Sequence, residues 1–168
     1  MPTMTSERSL APLTVDHLRR LAEIAHQDRE GLFNRNPHLS VYGDRILLTA
    51  LCQGGALHFI DGTNGVKDLD VYTFYAEDPR VGYPYRRRGV VDFGESELGR
   101  HPADHGFRGR RVDLLGRTLR VDPETDPVTA VRSYLQAERT TTARELAKKA
   151  VVVIDPNERL GEIIWPRA

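Results

Sequence analysis

A β-strand that opens on two carboxylates is hard to bury. Asp68 and Asp70 flank Leu69 just ahead of residues 71–75, a β-branched and aromatic run that reads as a strand. Alternate residues of a strand share a face, so both acids point the same way. Two like charges set side by side repel, and the arrangement costs stability unless a cation bridges them. The fold must therefore leave this opening beside solvent or beside a positive ligand, and the rest of the chain must be arranged around it.

The remaining pattern alternates helix and strand signals. Residues 1–12 are polar, with prolines at 2 and 12, and are expected to form a flexible arm. Thr14 caps a helix whose apolar positions Val15, Leu18, Leu21 and Ala25 recur at helical spacing. Gly31 weakens its continuation, and residues 34–37 end it. Residues 46–52 form an apolar segment that is either a strand or a helix, and residues 56–60, after Gly54-Gly55, read as a short helix. The sequence from Asp61 to Gly65 is a turn. Strands are expected around Val90-Val91, over 110–115 with a continuation at 118–121, over 151–154 and over 163–165. Asp126 followed by Pro127 opens a helix through Glu138, and Thr142 with Glu145 forms a capping box for another to Ala150. The expected fold is α/β (α+β): one domain over residues 1–168, with a small mixed β-sheet and flanking helices.

Composition excludes several classes. The chain has 168 residues, and its 24 Lys+Arg balance its 24 Asp+Glu. No global positive field therefore points to a nucleic-acid backbone or an anionic membrane. The single Cys52 rules out an intramolecular disulfide and a Cys-rich zinc site, and its apolar setting suits a buried inert thiol. No apolar stretch reaches the ~18–20 residues a membrane span needs, and the first twelve residues lack the apolar core of a secretory signal. A cytoplasmic protein with no membrane partner is the expectation.

Chemistry concentrates in one stretch. Gly54-Gly55 is followed by twelve residues and then by Asp68-Leu69-Asp70. Hard carboxylate oxygens suit Mg²⁺, which completes its shell with water and phosphate oxygens. A diglycine lets backbone approach a ligand closely and leaves N–H groups for phosphate. Asp113, inside the apolar strand Arg111-Val112-Asp113-Leu114-Leu115, is a third acid placed where charge is rarely found without a partner.

These residues resemble the DNA polymerase β-like nucleotidyltransferase superfamily. Its signature is Gly-Gly or Gly-Ser, a spacer, Asp-x-Asp opening a strand, and a third acid on a following strand. Gly54 to His58 together with Lys67-Asp68-Leu69-Asp70 is closest to the Gly-Gly subgroup. That subgroup includes the minimal nucleotidyltransferases of toxin–antitoxin and abortive-infection systems. The resemblance spans roughly residues 44–117. It implies a nucleotidyltransferase-like fold in which Asp68, Asp70 and Asp113 are catalytic and hold two Mg²⁺ ions, or Mn²⁺ in their place. It implies that Gly54, Gly55 and Lys67 bind the nucleotide. The implied reaction transfers a nucleoside monophosphate from an NTP to a hydroxyl on a protein, an RNA or a small molecule. The alternative it implies is a catalytically inactive binding or regulatory module, antitoxin-like, that keeps the fold.

Blander readings stand beside these. Asp-x-Asp is often a solvated strand opening, Asp113 can pair with Arg110 or Arg111, and Gly54-Gly55 can mark a close helix–strand approach. The basic clusters Arg86-Arg87-Arg88 and Arg108-x-Arg110-Arg111 are candidates for triphosphate or RNA contact, against the commoner reading as solvated faces. His101, Asp104 and His105 define a third hypothesis, a metal-binding hydrolase, against loop-ordering histidines. His58 reads as a satisfied core histidine, and Trp165 as packing.

Overall fold

The computed structural model describes residues 7–84 and 88–166. Of the Arg86-Arg87-Arg88 cluster, Arg86 and Arg87 lie outside the described residues, and Arg88 is exposed just ahead of the strand at 89–92. One mixed sheet of six strands organises the chain: β1 (Ile46–Cys52), β2 (Leu69–Ala76), β3 (Gly89–Asp92), β4 (Arg111–Leu119), β5 (Val151–Asp155) and β6 (Ile163–Trp165). Their order is β3-β4-β2-β1-β5-β6. β2 and β4 are parallel, and the other neighbours are antiparallel. Among the described residues four α-helices cover the two faces: α1 (Val15–Arg35), α2 (Gln53–Asp61), α3 (Pro127–Ala137) and α4 (Thr141–Ala147).

Strand alternation sorts the core. Leu51, Leu69, Val71, Val112 and Leu114 point to one face and meet Leu18, Leu21 and Ala25 of α1 and Ala56 of α2. Leu48, Ala50, Phe74 and Val153 point to the other and meet Val131 and Leu135 of α3 and Leu146 of α4. A third cluster of Leu32, Leu39, Tyr42, Tyr75 and Tyr83 closes the end of the sheet. It carries α1 past Gly31: burial of Leu32 is worth about 1.5–3 kcal/mol, more than the roughly 1 kcal/mol a mid-helix glycine costs. No helix among the described residues is long and apolar enough to cross a membrane.

Several local expectations are corrected. The segment 46–52 is a strand, and α2 begins at Gln53, ahead of the diglycine rather than after it. β4 is continuous through Gly116, because Tyr83 packs where a Cβ would stand 2.4 Å from its hydroxyl. α4 is capped by Thr140, whose hydroxyl accepts the amide of Ala143 at 3.0 Å. Thr142 instead accepts from Arg117 Nε at 3.1 Å, and Glu145 pairs with Lys148, so no capping box forms there. α4 also stops at Ala147, because Ala150 and Val151 are drawn into the core where β5 begins.

Residues 7–12 are not a loose arm. Ser9 and Val66 exchange two backbone bonds of 2.8 Å, and the Ala11 carbonyl accepts from His58 Nε2 at 2.9 Å. The carbonyls of Glu7, Leu98 and Lys67 all accept from the guanidinium of Arg110, which is 1% exposed. A buried arginine saturated by carbonyls thus ties together the arm, the 94–109 loop and the approach to β2.

Candidate functional site

The two central acids meet because of strand register. Asp70 of β2 is the direct partner of Asp113 of β4, one position beyond the Leu69–Val112 pair. Neighbouring partners in adjacent strands share a face, so the two carboxyl groups stand side by side. Asp68 lies two residues ahead of Asp70, at the mouth of the strand. The chain forms this juxtaposition by local means: β1 leads directly into α2, the Asp61–Gly65 turn returns the chain, and β2 then pairs back along β1. The turn itself is made by Gly62 in the left-handed region (φ 70°) and by Asp61 Oδ1, which accepts the amides of Thr63 and Asn64.

Electrostatics report the crowding. The Asp70 carboxyl is pushed up from 3.8 to about 6 by burial and then by the charges of Asp113 and Asp68. Asp68 is also raised, by burial and then by Asp113 and Asp104. Asp113 is 5% exposed, and its Oδ1 accepts from Arg111 Nε at 3.0 Å. Among the described residues no three His, Cys, Asp or Glu side chains stand ready to hold a metal ion together. The Asp68/Asp70 pair faces an open cleft, while Asp113 is turned to Arg111.

That cleft has a volume of about 210 Å³ and is lined by Arg8, Gln53, Gly54, Gly65, Lys67, Asp68, Asp70 and Lys149. Its charge is divided. Acids occupy the β2 side; Arg8, Lys67 and Lys149 supply cations toward Gly54 and Gly65. Arg111 and then Lys67 lower Asp68, and Arg88 and then Lys149 lower Asp70, but in neither case enough to offset burial and repulsion. Neither lysine ammonium has a hydrogen-bond or ion-pair partner among the described residues. Arg8 reaches the Asn64 carbonyl at 3.2 Å.

The two glycines part company here. A Cβ on Gly54 would stand 3.1 Å from Asn64 Nδ2 and 3.9 Å from Lys149 Nζ, at the cleft wall. Asn64 Nδ2 donates to the Gly54 and Gly65 carbonyls at 3.1 and 3.0 Å, holding the turn against the start of α2. A Cβ on Gly55 would instead stand 3.3 Å from methyl groups of both Leu51 and Leu69. Gly55 is where α2 packs down on the sheet, and it does not line the cleft.

The structure therefore gathers Gly54, Lys67, Asp68 and Asp70 around one cavity, with Asp113 beside Asp70 and Gly55 behind the wall. It adds Arg8, Gln53 and Lys149, which sequence reasoning missed. Arg8 belongs to the segment expected to be flexible. Lys149 reaches the cleft only because Val151 pairs with Cys52, a long-range pairing with no local signal. Cys52 itself is fully buried, and its thiol is pushed well up by burial and then by Asp70, which makes it inert.

The histidine constellation does not assemble. His101 Nδ1 accepts the amide of Ala103 at 3.0 Å, and Arg100 binds the carbonyls of His101, Pro102 and Asp104. These residues order a loop turn. His58 is 1% exposed and doubly bonded, through Nε2 to the Ala11 carbonyl and through Nδ1 from the Gly65 amide. The Trp165 indole donates to the Ala147 carbonyl at 2.8 Å and packs against the α3/α4 face. Comparison with protein-family models, with curated proteins and with solved structures finds no match to this chain, so the site is read from its own chemistry.

Proposed function

We propose that this protein is a metal-dependent nucleotidyltransferase that moves a nucleoside monophosphate from an NTP to a hydroxyl acceptor. The observation that carries the reading is the Asp70–Asp113 register pair, with Asp68 two residues ahead, beside a cleft walled by Gly54 and two lysines without partners among the described residues. Repelling carboxylates next to separate cations suit one kind of ligand: a polyphosphate that brings its own divalent metal. The donor set fits Mg²⁺ or Mn²⁺, since all three groups are hard oxygens and the raised Asp70 carboxyl marks a charge deficit. Asp68 and Asp70 would hold the metal, joined by Asp113 once it leaves Arg111. When bound, the metal would neutralise charge on the reacting phosphate and the leaving pyrophosphate.

The protein's own groups do the rest. Lys67, Lys149 and Arg8 hold the phosphate chain against the backbone at Gly54. Asp113 takes the proton of the attacking hydroxyl as its oxygen bonds to the α-phosphorus and the α–β bridging bond breaks. A cytoplasmic setting agrees with an NTP substrate and with a single buried thiol.

A second reading has its own observation. The Arg111 guanidinium already neutralises Asp113 at 3.0 Å, in place of a metal. That favours an inactive, antitoxin-like binding module that has kept the fold. Calorimetry with the four NTPs, with and without Mg²⁺, separates the two. Metal-dependent binding that disappears in the Asp68→Asn/Asp70→Asn variant supports the enzyme, and labelled NTP then reports transfer. A well-folded protein that binds none of the four NTPs rejects the enzyme in favour of the module.

A further inference from the structure

The acidic face of the sheet continues past the cleft. On β4, Asp113, Leu115 and Arg117 alternate onto this face; on β2, Asp70, Tyr72 and Phe74 do the same. Arg117 lies over the Tyr72 ring, 5.6 Å from its centroid, and donates to the Thr142 hydroxyl and, at 2.7 Å, to the Gly116 carbonyl. Beyond it opens a cavity of about 330 Å³ lined by Arg117, Thr118, Tyr134, Thr140 and Thr142. A second cavity of about 560 Å³ shares Thr118, Tyr134 and Thr140 and adds Arg120, Arg139 and Ser133. The two form one groove between the end of β4 and helices α3 and α4.

Its chemistry is specific. Tyr134 lines both cavities, with its ring edge-on to Phe74 at 6.0 Å and its hydroxyl bonded to Thr140 at 3.0 Å, so the ring is held in place. Three arginines face one acid, Glu77, which pairs with Arg120 at 3.4 Å. The groove is therefore net positive, and it combines a fixed aromatic ring with guanidinium groups and hydroxyls. Sequence reading finds no aromatic residue among the Arg108–Arg111 cluster; here the interleaving is made by β4 and α3, which are distant in sequence. Arg117 lies four positions beyond Asp113 along the strand, roughly 13 Å. That spacing suits a polymer whose end lies at the acids and whose following units lie in the groove.

We propose that this groove holds the acceptor, and that the acceptor is the end of a single-stranded polynucleotide. Bases stack on Tyr134, and backbone phosphates meet Arg117 and Arg139. What happens to the strand end rests on the nucleotidyl-transfer reading; strand binding itself does not.

The test is fluorescence anisotropy on the full chain, without NTP or metal, using 5′-fluorescein-labelled ten-residue oligoadenylate as RNA and as DNA. A fluorescein-labelled oligoglutamate peptide is the control polyanion. Binding is expected to fall with salt, with a log–log slope of about −1.4 if two phosphates are engaged. Arg139→Ala should reduce that slope by about 0.7. Tyr134→Ala should weaken binding about tenfold while Tyr134→Phe stays near wild type, since stacking needs the ring. Binding of either oligonucleotide with these responses supports the proposal, and a preference between them identifies the sugar. No binding of either, indifference to both Arg139→Ala and Tyr134→Ala, or equal binding of oligoglutamate overturns it. Strand binding without NTP binding removes the transferase reading alone; NTP binding without strand binding removes the groove alone.

Discussion

Asp70→Asn is expected to stabilise the protein, with a pH dependence that identifies the cause. In the folded chain the Asp70 carboxyl is raised from 3.8 to about 6 by burial and then by Asp113 and Asp68. The unfolded chain gives up this proton first. Between about pH 4 and pH 6 the folded state therefore holds more protons than the unfolded state, and stability falls as pH rises. A shift of about two units corresponds to about 3 kcal/mol, present in full above pH 6 and absent below pH 4. Asparagine keeps the size and removes the charge. Urea denaturation of wild type and variant from pH 3.5 to 8 should show nearly equal stability at the acid end. The variant should pull ahead by up to about 3 kcal/mol at pH 7.5, or roughly 6–12 °C in Tm. Mg²⁺ should narrow the gap by stabilising wild type alone, since binding to the native state adds to its stability. A gap independent of pH, or a variant less stable at pH 7.5, would refute the account of uncompensated charge at Asp70.

Other substitutions test separate parts. Gly55→Ala puts a methyl 3.3 Å from Leu51 and Leu69, so overpacking should outweigh the gain in helix propensity and cost about 1–2 kcal/mol by denaturation. Gly54→Ala meets only Asn64 and Lys149 side chains, so stability should change little while nucleotide affinity in the calorimeter falls; the opposite pattern would reverse the roles given to the two glycines. Arg110→Ala strips the carbonyls of Glu7, Leu98 and Lys67 of their buried donor. It should cost at least about 3 kcal/mol and expose residues 7–12 to limited proteolysis, and an equally protected arm would contradict the clamp. Thr140→Ala should cost about 1 kcal/mol and Thr142→Ala less; a larger loss at Thr142 would restore it as the helix cap.

Most elements were legible because their signals are local. The Thr14 cap with its apolar stripe, the Asp126-Pro127 helix start, the glycine turn before β2 and the β-branched strands all depend on residues a few positions apart. The same is true of Asp68 and Asp70, whose shared face follows from strand alternation alone. α1 ends at Arg35, inside the expected stretch 34–37, with buried Leu32 carrying it past Gly31, whereas β4 runs on for a tertiary reason, because Gly116 leaves room for Tyr83. Thr140 takes the cap because Thr142 is held by Arg117.

The amino-acid sequence by itself determined that an acid pair opens a strand downstream of a diglycine within a mixed α/β chain. Periodicity and turn chemistry act over short distances and carry that much. Only the tertiary structure decided what surrounds the pair. Parallel register set Asp113 beside Asp70, and the β1–β5 pairing brought Lys149 to the cleft. The Ser9–Val66 bridge and the Arg110 clamp fastened the arm that carries Arg8, and helix–strand packing placed Gly55 behind the wall. Each depends on partners far apart in sequence, and a contact of that kind has no periodicity to betray it until the sheet has formed.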